Sequence, residues 1–154
     1  MVMQVTLEPM TPEEIGPWQE RLWIEYRSDM IKAGSTAAAA DANIERNREA
    51  LMPSGELAEG QHVLTVTDGA NPIGCLWLAQ RAHGEWFVYD IEIDPEHRGR
   101  GFGRATMLAA EDYVTARGGI KLGLSVFGFN EVAHSLYRSL GYSVLAMNMS
   151  KSLT

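Results

Sequence analysis

The feature that most constrains the fold is a segment rich in glycine and arginine, "HRGRGFGR" (His97–Arg104), which separates a strand pattern from a helix pattern. The stretch before it, "WFVYDIEI" (Trp86–Ile93), is rich in β-branched and aromatic residues, as strands are. From Gly101 onward, apolar residues recur at helical spacing, and "IKLGLSVF" (Ile120–Phe127) then returns to a strand pattern. Since a strand–helix–strand unit joins two strands by a crossover, these two strands are expected to lie parallel in one sheet.

The other segments complete an α/β (α+β) pattern. Short turns separate the strands from 62 to 93, which predicts an antiparallel meander. With the parallel unit, this predicts a mixed sheet of six to seven strands covered by about four helices, in a single domain over 1–154. The predicted strands are 4–8, 62–67, 73–81, 86–93, 120–127 and Tyr142–Ser150; the predicted helices are 11–33, 36–51, 101–116 and 130–140.

Composition narrows the class of protein. The 154 residues carry a formal net charge of −7, which disfavours nucleic-acid binding because that needs a basic surface. No stretch approaches the roughly 20 apolar residues that span a bilayer, and the N-terminus lacks a signal-peptide pattern. The single cysteine fits a reducing compartment, and the four histidines show no metal-ligand spacing. We therefore expect a soluble cytoplasmic protein that has no metal site and binds neither nucleic acid nor membrane.

The chemistry of the glycine-rich segment suggests an anion site. A helix N-terminus carries unpaired N–H groups and a partial positive charge, and glycines let a ligand approach the backbone closely. Arginines add charge and forked donors that suit phosphate. A nucleotide-binding P-loop is excluded because the segment has no lysine, and the dinucleotide fingerprint is excluded because Arg104 stands where its third glycine belongs. A disordered RNA-binding segment would be repeated, whereas this one is single.

The run Arg98-Gly99-Arg100-Gly101-Phe102-Gly103 fits [Q/R]-x-x-G-x-[G/A] and resembles the acyl-CoA loop of the GNAT superfamily of N-acetyltransferases. A second segment, "NEVAHSLYRSLGY" (Asn130–Tyr142), resembles the family's later motif and follows at the expected separation. The resemblance implies a GNAT-like fold, in which acetyl-CoA serves as acetyl donor and lies where the strands Trp86–Ile93 and Ile120–Phe127 splay apart. The resemblance leaves the oligomeric state open, although relatives often form homodimers.

The resemblance assigns the cofactor contacts as follows. The pantetheine arm would pair with backbone at the end of the first splayed strand, main-chain amides of the loop would hold the pyrophosphate, and Asn130 would contact the arm. The alternative for Asn130 is a plain helix cap, and the two roles are compatible. The expected cofactor-binding residues are Ile91, Glu92, Ile93, Arg98, Gly99, Arg100, Gly101, Phe102, Gly103, Arg104 and Asn130.

For catalysis, the resemblance implies direct acetyl transfer to a primary amine, with Tyr137 protonating the leaving thiolate. A core position on the helix is the alternative for Tyr137. Asp90 and Glu92 should share one face of their strand, because they alternate with the apolar residues Tyr89, Ile91 and Ile93, which should share the other. We expect Glu92 to be the base, with Asp90 orienting the amine. Some relatives carry a glutamate at the position of Ser125. This chain lacks that glutamate, so a water chain could replace a dedicated base.

Two hypotheses from other functional classes stay open. A non-catalytic acyl-CoA-binding or sensing module would use the same loop, and RNA binding through the arginines is disfavoured by the net charge. Small molecules and protein N-termini both fit as amine acceptors, because the sequence shows no acceptor motif.

Overall fold

The computed structural model describes residues 3–154, and within them the elements follow the predicted order. Five strands and four α-helices are present in this part of the chain. Their bounds are β1 Thr6–Pro9, α1 Pro12–Lys32, α2 Ala37–Leu51, β2 Gln61–Thr67, β3 Pro72–Gln80, β4 Glu85–Ile93, α3 Phe102–Ala116, β5 Lys121–Leu124 and α4 Glu131–Ser139.

Capping residues set the ends of the first two helices. The Thr11 N–H donates to Oε1 of Glu14 across 3.1 Å, which is one half of a capping box. Thr36 caps α2, since its Oγ1 accepts from the N–H of Ala39 at 3.1 Å. Gly34, with a φ of 108°, takes the left-handed conformation that ends α1.

The sheet is mixed, as predicted. Its order is β1-β2-β3-β4-β5. The first three pairings are antiparallel, and β4 pairs with β5 in parallel. The parallel pair is the one that the strand–helix–strand pattern predicts.

The strand count is smaller than predicted, because five strands replace the expected six to seven. The predicted strand at Tyr142–Ser150 is wrong for this chain: residues 142–154 have neither strand nor helix assigned. The alternating pattern there suits a strand, but a strand exists only when a neighbour completes its backbone hydrogen bonds, and within the described residues no strand does so.

The described chain packs as two compact units. One contains the chain up to Ile15 together with Leu57–Ser125, and the other contains Gly16–Glu56 and Val126–Thr154. Each unit draws on two separate segments, so no single point in the sequence divides them, and a functional domain over 1–154 stays a prediction.

The unit that holds the sheet has its core under α3. Leu76, Leu78 and Trp86 are almost fully buried, as is Met107 on the helix. In the other unit, the buried side chains are Trp18, Leu22, Trp23, Ala40, Ile44 and Leu51. None of the helices in the described residues is long and apolar enough to cross a membrane.

Candidate active site

A β-bulge in β4 creates the central feature of the site. Trp77 of β3 pairs with Asp90, while the next residue, Leu78, pairs with Val88, which leaves Tyr89 as an extra residue. Bulges bend a strand and increase its twist. The pairing of β4 with β5 ends at the same place, at Val88 opposite Leu124. The two strands therefore part from the bulge onward, where the family resemblance implied a splay.

Beyond the bulge, β4 has an open edge on its β5 side. The N–H of Asp94 donates to the carbonyl of Ile73 across 2.8 Å, so it faces β3. Since main-chain groups alternate along an antiparallel strand, those of Glu92 also face β3, while those of Ile91 and Ile93 face the open edge. Gly74 supports this assignment, because a Cβ there would collide with the carbonyl oxygen of Glu92. Of the three residues expected to pair with a ligand, Ile91 and Ile93 have their backbone groups at this open edge, and their contact with a ligand stays a prediction.

Arg98 connects the glycine-rich segment His97–Arg104, called the glycine loop from here on, to this edge. Its Nε donates to the main-chain oxygen of Ile93 at 2.7 Å, and its Nη2 lies 3.7 Å from Oε1 of Glu92. The Arg98 side chain remains 56% exposed and that of Glu92 30% exposed. One of the three predicted phosphate-binding arginines thus positions the loop against the end of β4.

The two carboxylates predicted to share a face of β4 do so. The sulfur of Cys75 and one carboxylate oxygen each of Asp90 and Glu92 lie within 4.8 Å of one another. The Cys75 thiol donates a hydrogen bond to Oδ2 of Asp90 across 3.6 Å. Asp94, Glu96 and His97 form a second group at this spacing. Since acidic groups at this spacing are common without an ion, the expected absence of a metal stays a prediction.

Tyr89 lies on a different face from the one that simple alternation predicted. It was expected to share the side of Ile91, but its ring stacks on Trp77 at 4.8 Å, and Trp77 pairs with Asp90. The bulge is the cause, because it adds one residue to β4 without a partner. Val88 and Ile91 pair with Leu78 and Leu76, so they share a face of β4 although three positions separate them, which breaks the period of two.

The same bulge builds a contact that the sequence did not reveal. Arg81 donates from Nη2 to the hydroxyl of Tyr89 at 2.7 Å, and its guanidinium lies 4.0 Å from the ring centroid of Phe87. The side chains of Arg81, Phe87, Tyr89 and Trp77 therefore stack along the face that also carries the carboxylates. No motif could indicate this, since it depends on where the bulge turns Tyr89.

The glycine loop reaches α3 through two left-handed glycines. Gly99 has a φ of 75° and Gly101, the N-cap of α3, a φ of 88°. No side chain caps this helix, and a Cβ at either glycine would find nothing within 4 Å. Phe102 is 7% exposed and anchors the first turn, with the ring of His97 edge-on at 6.1 Å. The amides of the first turn lack intrahelical acceptors and border open space, which is what an anion site requires.

The remaining predicted residues lie in the other unit, on α4. Asn130 is the N-cap, and its Oδ1 accepts from the N–H of Ala133 at 3.2 Å, so the helix-cap reading is confirmed. Tyr137 is partly buried, and its ring meets that of Tyr142 edge to face at 6.0 Å. The ligand role of Asn130 and the catalytic role of Tyr137 stay predictions.

Known proteins of similar sequence and structure point to one family. The chain is 29% identical to the uncharacterized N-acetyltransferase YdgE of Bacillus subtilis (strain 168), over 98% of this chain and 99% of that protein. The crystal structure of the acetyltransferase YycN from Bacillus subtilis superposes with a TM-score of 0.89 at 26% identity, over 98% of this chain and 99% of that one. An aminoglycoside N-acetyltransferase, AAC(6')-Iy in complex with CoA, shares the fold with a TM-score of 0.58 at 14% identity, over 99% and 96% of the two chains.

The sequence profile of the acetyltransferase (GNAT) family matches residues 17–142, which include the bulged strand, the glycine loop and α4. The predicted resemblance is thereby confirmed, and the chain belongs to the GNAT family of acetyltransferases.

Proposed function

We propose that this protein is an acetyl-CoA-dependent N-acetyltransferase that transfers an acetyl group to a primary amine. One observation carries the proposal: a single loop joins the open edge of β4 to the uncapped N-terminus of α3. The edge offers backbone groups to an amide-containing arm, and the helix N-terminus offers N–H groups to a diphosphate. Coenzyme A contains both of these parts.

The residues present fit such a ligand. Main-chain groups of Ile91 and Ile93 would pair with the arm as an added strand pairs with a sheet edge. The amides that follow Gly99 and Gly101 would receive the diphosphate in the space that a side chain at either glycine would fill. Arg100, in the loop, and Arg104, in the first turn of α3, are exposed and would add positive charge.

The reaction sets requirements for the side chains. The thioester supplies an activated acetyl group; a C–N bond forms as the C–S bond breaks, the amine loses a proton and the thiolate gains one. An aliphatic amine with a pKa of about 10.4 is protonated at neutral pH, so a base must accept its proton. Glu92 lies at the open end of β4 and is the proposed base, with Asp90 on the same face to orient the cationic amine. Tyr137 is the proposed acid for the thiolate, and a water chain is the alternative to Glu92.

The acceptor is a primary amine of a small molecule or of a protein N-terminus. The net charge of −7 favours a cationic acceptor through long-range attraction. One observation favours a non-catalytic acyl-CoA sensor instead: Arg98 lies within ion-pair distance of Glu92, which competes with its use as a base.

The test is calorimetric titration with acetyl-CoA, followed by thiol release with a panel of amines. The wild-type protein should bind with micromolar affinity, and Gly101→Glu should abolish binding because it fills the diphosphate space and adds negative charge. Gly118→Glu is the matched control, since Gly118 also has a positive φ of 81° and nothing within 4 Å of a Cβ, but lies at the other end of α3. No binding by the wild-type protein contradicts the proposal. Binding without thiol release from any amine favours the sensor.

A further inference from the structure

Arg81 places a positive charge on the sheet face that carries Asp90 and Glu92. Its guanidinium lies 4.0 Å from the ring centroid of Phe87 and 5.4 Å from that of Tyr89. At these distances an aromatic ring attracts a cation. Because Arg81 is exposed, the rings hold the charge in place without removing it from solvent.

The groups that hold Arg81 are themselves fixed. Tyr89, whose hydroxyl accepts the hydrogen bond from Arg81 Nη2, stacks on Trp77 with an angle of 27° between the rings. Trp77 is 5% exposed, and its Nε1 donates to Oε1 of Gln61 across 2.7 Å. The main-chain N–H of Arg81 donates to the carbonyl of Glu85, also across 2.7 Å. Both the backbone and the guanidinium of Arg81 are therefore positioned, unlike those of a mobile surface arginine.

This positioned charge has no acidic partner in the part of the chain that the structure describes, although the chain has 20 acidic side chains. Glu85 is on the same face, two positions before Phe87, but its carboxylate lies 3.6 Å from Nζ of Lys121. The Tyr89 hydroxyl accepts from Arg81, so its own proton can be donated elsewhere. The guanidinium and this hydroxyl together offer donors that suit the two oxygens of a carboxylate.

The carboxylate site and the group proposed to orient the amine lie on one strand at a defined separation. Phe87, which contacts the guanidinium, is three residues before Asp90, and three strand residues span about 10 Å. An α-amino acid cannot reach both groups, because a single carbon separates its nitrogen from its carboxylate. An extended chain of three amino-acid residues spans about 10 Å and can reach both.

We propose that the acceptor carries a carboxylate about 10 Å from its primary amine, and that Arg81 and Tyr89 bind this carboxylate while Asp90 orients the amine. This inference rests on the proposed acetyl transfer and narrows the acceptor from any primary amine to a zwitterion of this length. Opposite charges at the two ends of the site fix the direction of the acceptor, with its amine toward the open end of β4. An acceptor with two ammonium groups would place like charge against Arg81. The net charge of the chain attracts an amine at long range, whereas these contacts select among amines at short range.

The test is calorimetric titration of the protein with three tripeptides in the presence of coenzyme A, which cannot transfer an acetyl group. The probes are Ala-Ala-Ala, its C-terminal amide, and Ala-Ala-Glu amide, whose carboxylate is a side chain. The wild-type protein should bind Ala-Ala-Ala at least about tenfold more tightly than its amide, since only the acid offers a carboxylate to charged donors.

Three variants locate the preference for the acid. Arg81→Gln should remove it, and Tyr89→Phe should reduce it by removing one donor. Arg117→Gln is the matched control and should keep the preference, because the Arg117 guanidinium also lies over a tyrosine ring, that of Tyr113 at 3.4 Å, but at the C-terminal end of α3. Arg81 and Arg117 are both exposed, so both glutamine variants should fold.

The outcomes separate the source of the carboxylate. Tighter binding of Ala-Ala-Ala than of Ala-Ala-Glu amide supports the proposal with a small-molecule acceptor. The reverse order supports it with a protein N-terminus that carries an acidic third residue. Equal binding of Ala-Ala-Ala and its amide, no binding of either, or a preference that persists in Arg81→Gln overturns the proposal.

Thiol release from acetyl-CoA distinguishes this inference from the proposed function. If Ala-Ala-Ala and its amide react with the same kcat/KM, transfer stands and the carboxylate requirement is overturned. If binding depends on Arg81 but no amine releases thiol, the proposed transfer is overturned and Arg81 remains a carboxylate site.

Discussion

Arg98 Nε lies 2.7 Å from the main-chain oxygen of Ile93, so the glycine-rich loop is bound to the last residue of β4. The carbonyl of Ile93 belongs to the open edge of the bulged strand. The position of the glycine-rich loop is thereby coupled to the position of the edge that would hold the pantetheine arm. In the structure Arg98 acts on the backbone, and its predicted contact with the cofactor stays a prediction.

Arg98→Ala should raise the Kd for acetyl-CoA about tenfold, because the loop is then no longer held against the edge and has to be ordered when the ligand binds. The free energy of unfolding should change by less than about 1 kcal/mol, since the side chain is half exposed and exposed ion pairs contribute little. Calorimetric titration and urea unfolding measure the two quantities. Arg46→Ala is the control for loss of one positive charge, on the exposed side of α2.

An unchanged affinity in Arg98→Ala would contradict the coupling of loop and edge. Equal losses in Arg98→Ala and Arg46→Ala would assign the effect to net charge. Arg98→Lys should restore only part of the affinity, because an ammonium lacks the fixed Nε geometry of the guanidinium.

Glu92→Gln should lower kcat about 100-fold or more, as expected when a general base is lost, and should leave the Kd for acetyl-CoA nearly unchanged. The substitution keeps the size of the side chain and removes its basicity. Asp90→Asn is the matched control on the same face of β4; as an orienting group, Asp90 should affect the KM for the amine more than kcat. Thiol-release kinetics at varied amine concentration separate these effects. Full activity of Glu92→Gln would leave the water chain as the route for the proton.

Tyr137→Phe should lower kcat and spare acetyl-CoA binding, because it removes only the hydroxyl proposed to protonate the thiolate. The ring contact with Tyr142 should survive, so the free energy of unfolding should change little. Tyr142→Phe is the control, since it removes a hydroxyl from the other ring of the same pair. A loss of stability in Tyr137→Phe without a loss of turnover would show that the role of Tyr137 is structural and not catalytic.

The sequence predicted those parts of the fold that depend on local signals. Capping oxygens at Thr36 and Asn130 set helix starts within a residue of the prediction. The connection between the strands at Trp86 and Ile120 sets their parallel pairing, because crossover connections impose it. These signals act over a few residues and do not need the rest of the molecule.

The features that failed prediction depend on distant neighbours. The bulge at Tyr89 puts Val88 and Ile91 on one face of β4, whereas simple alternation places them on opposite faces. The partner of Arg98 depends on the path of the loop in space, which no spacing encodes. The strand predicted at Tyr142–Ser150 has the right pattern but no neighbour in the described chain, and a pattern alone cannot supply the second half of a ladder.

His62 should make the protein less stable in mild acid. Burial first, and the nearby charge of Arg117 second, lower the pKa of His62 below its usual 6.5, while its Nδ1 lies 2.7 Å from the hydroxyl of Tyr113. The unfolded chain therefore binds a proton more readily than the folded one. The contribution is fully present above pH 6.5 and is lost as the pH falls from there through the lower pKa of the folded state.

Urea unfolding between pH 5 and pH 8, a range of about three units around the histidine pKa, measures this effect. His62→Gln should flatten the slope of the unfolding free energy against pH over that range. His83→Gln is the control, because His83 is exposed on a turn. The same slope in wild type and His62→Gln would assign the acid sensitivity to other groups.

Gly74→Ala should disrupt the end of β4 directly. A Cβ at Gly74 would collide with the carbonyl oxygen of Glu92 and lie 3.1 Å from Cα of Ile93, and backbone atoms cannot move aside as a flexible side chain can. We expect a loss of about 1–3 kcal/mol in the free energy of unfolding, the usual range for overpacking. Because the displaced residues form the open edge, acetyl-CoA affinity should fall as well, even under conditions where the protein is fully folded.

Gly16→Ala is the control: a Cβ there meets nothing within 4 Å, and alanine in a helix should stabilise by about 0.5–1 kcal/mol. Urea unfolding and calorimetric titration of both variants test the argument, and wild-type stability with wild-type affinity in Gly74→Ala would show that β3 and β4 do not approach each other as closely as the structure places them.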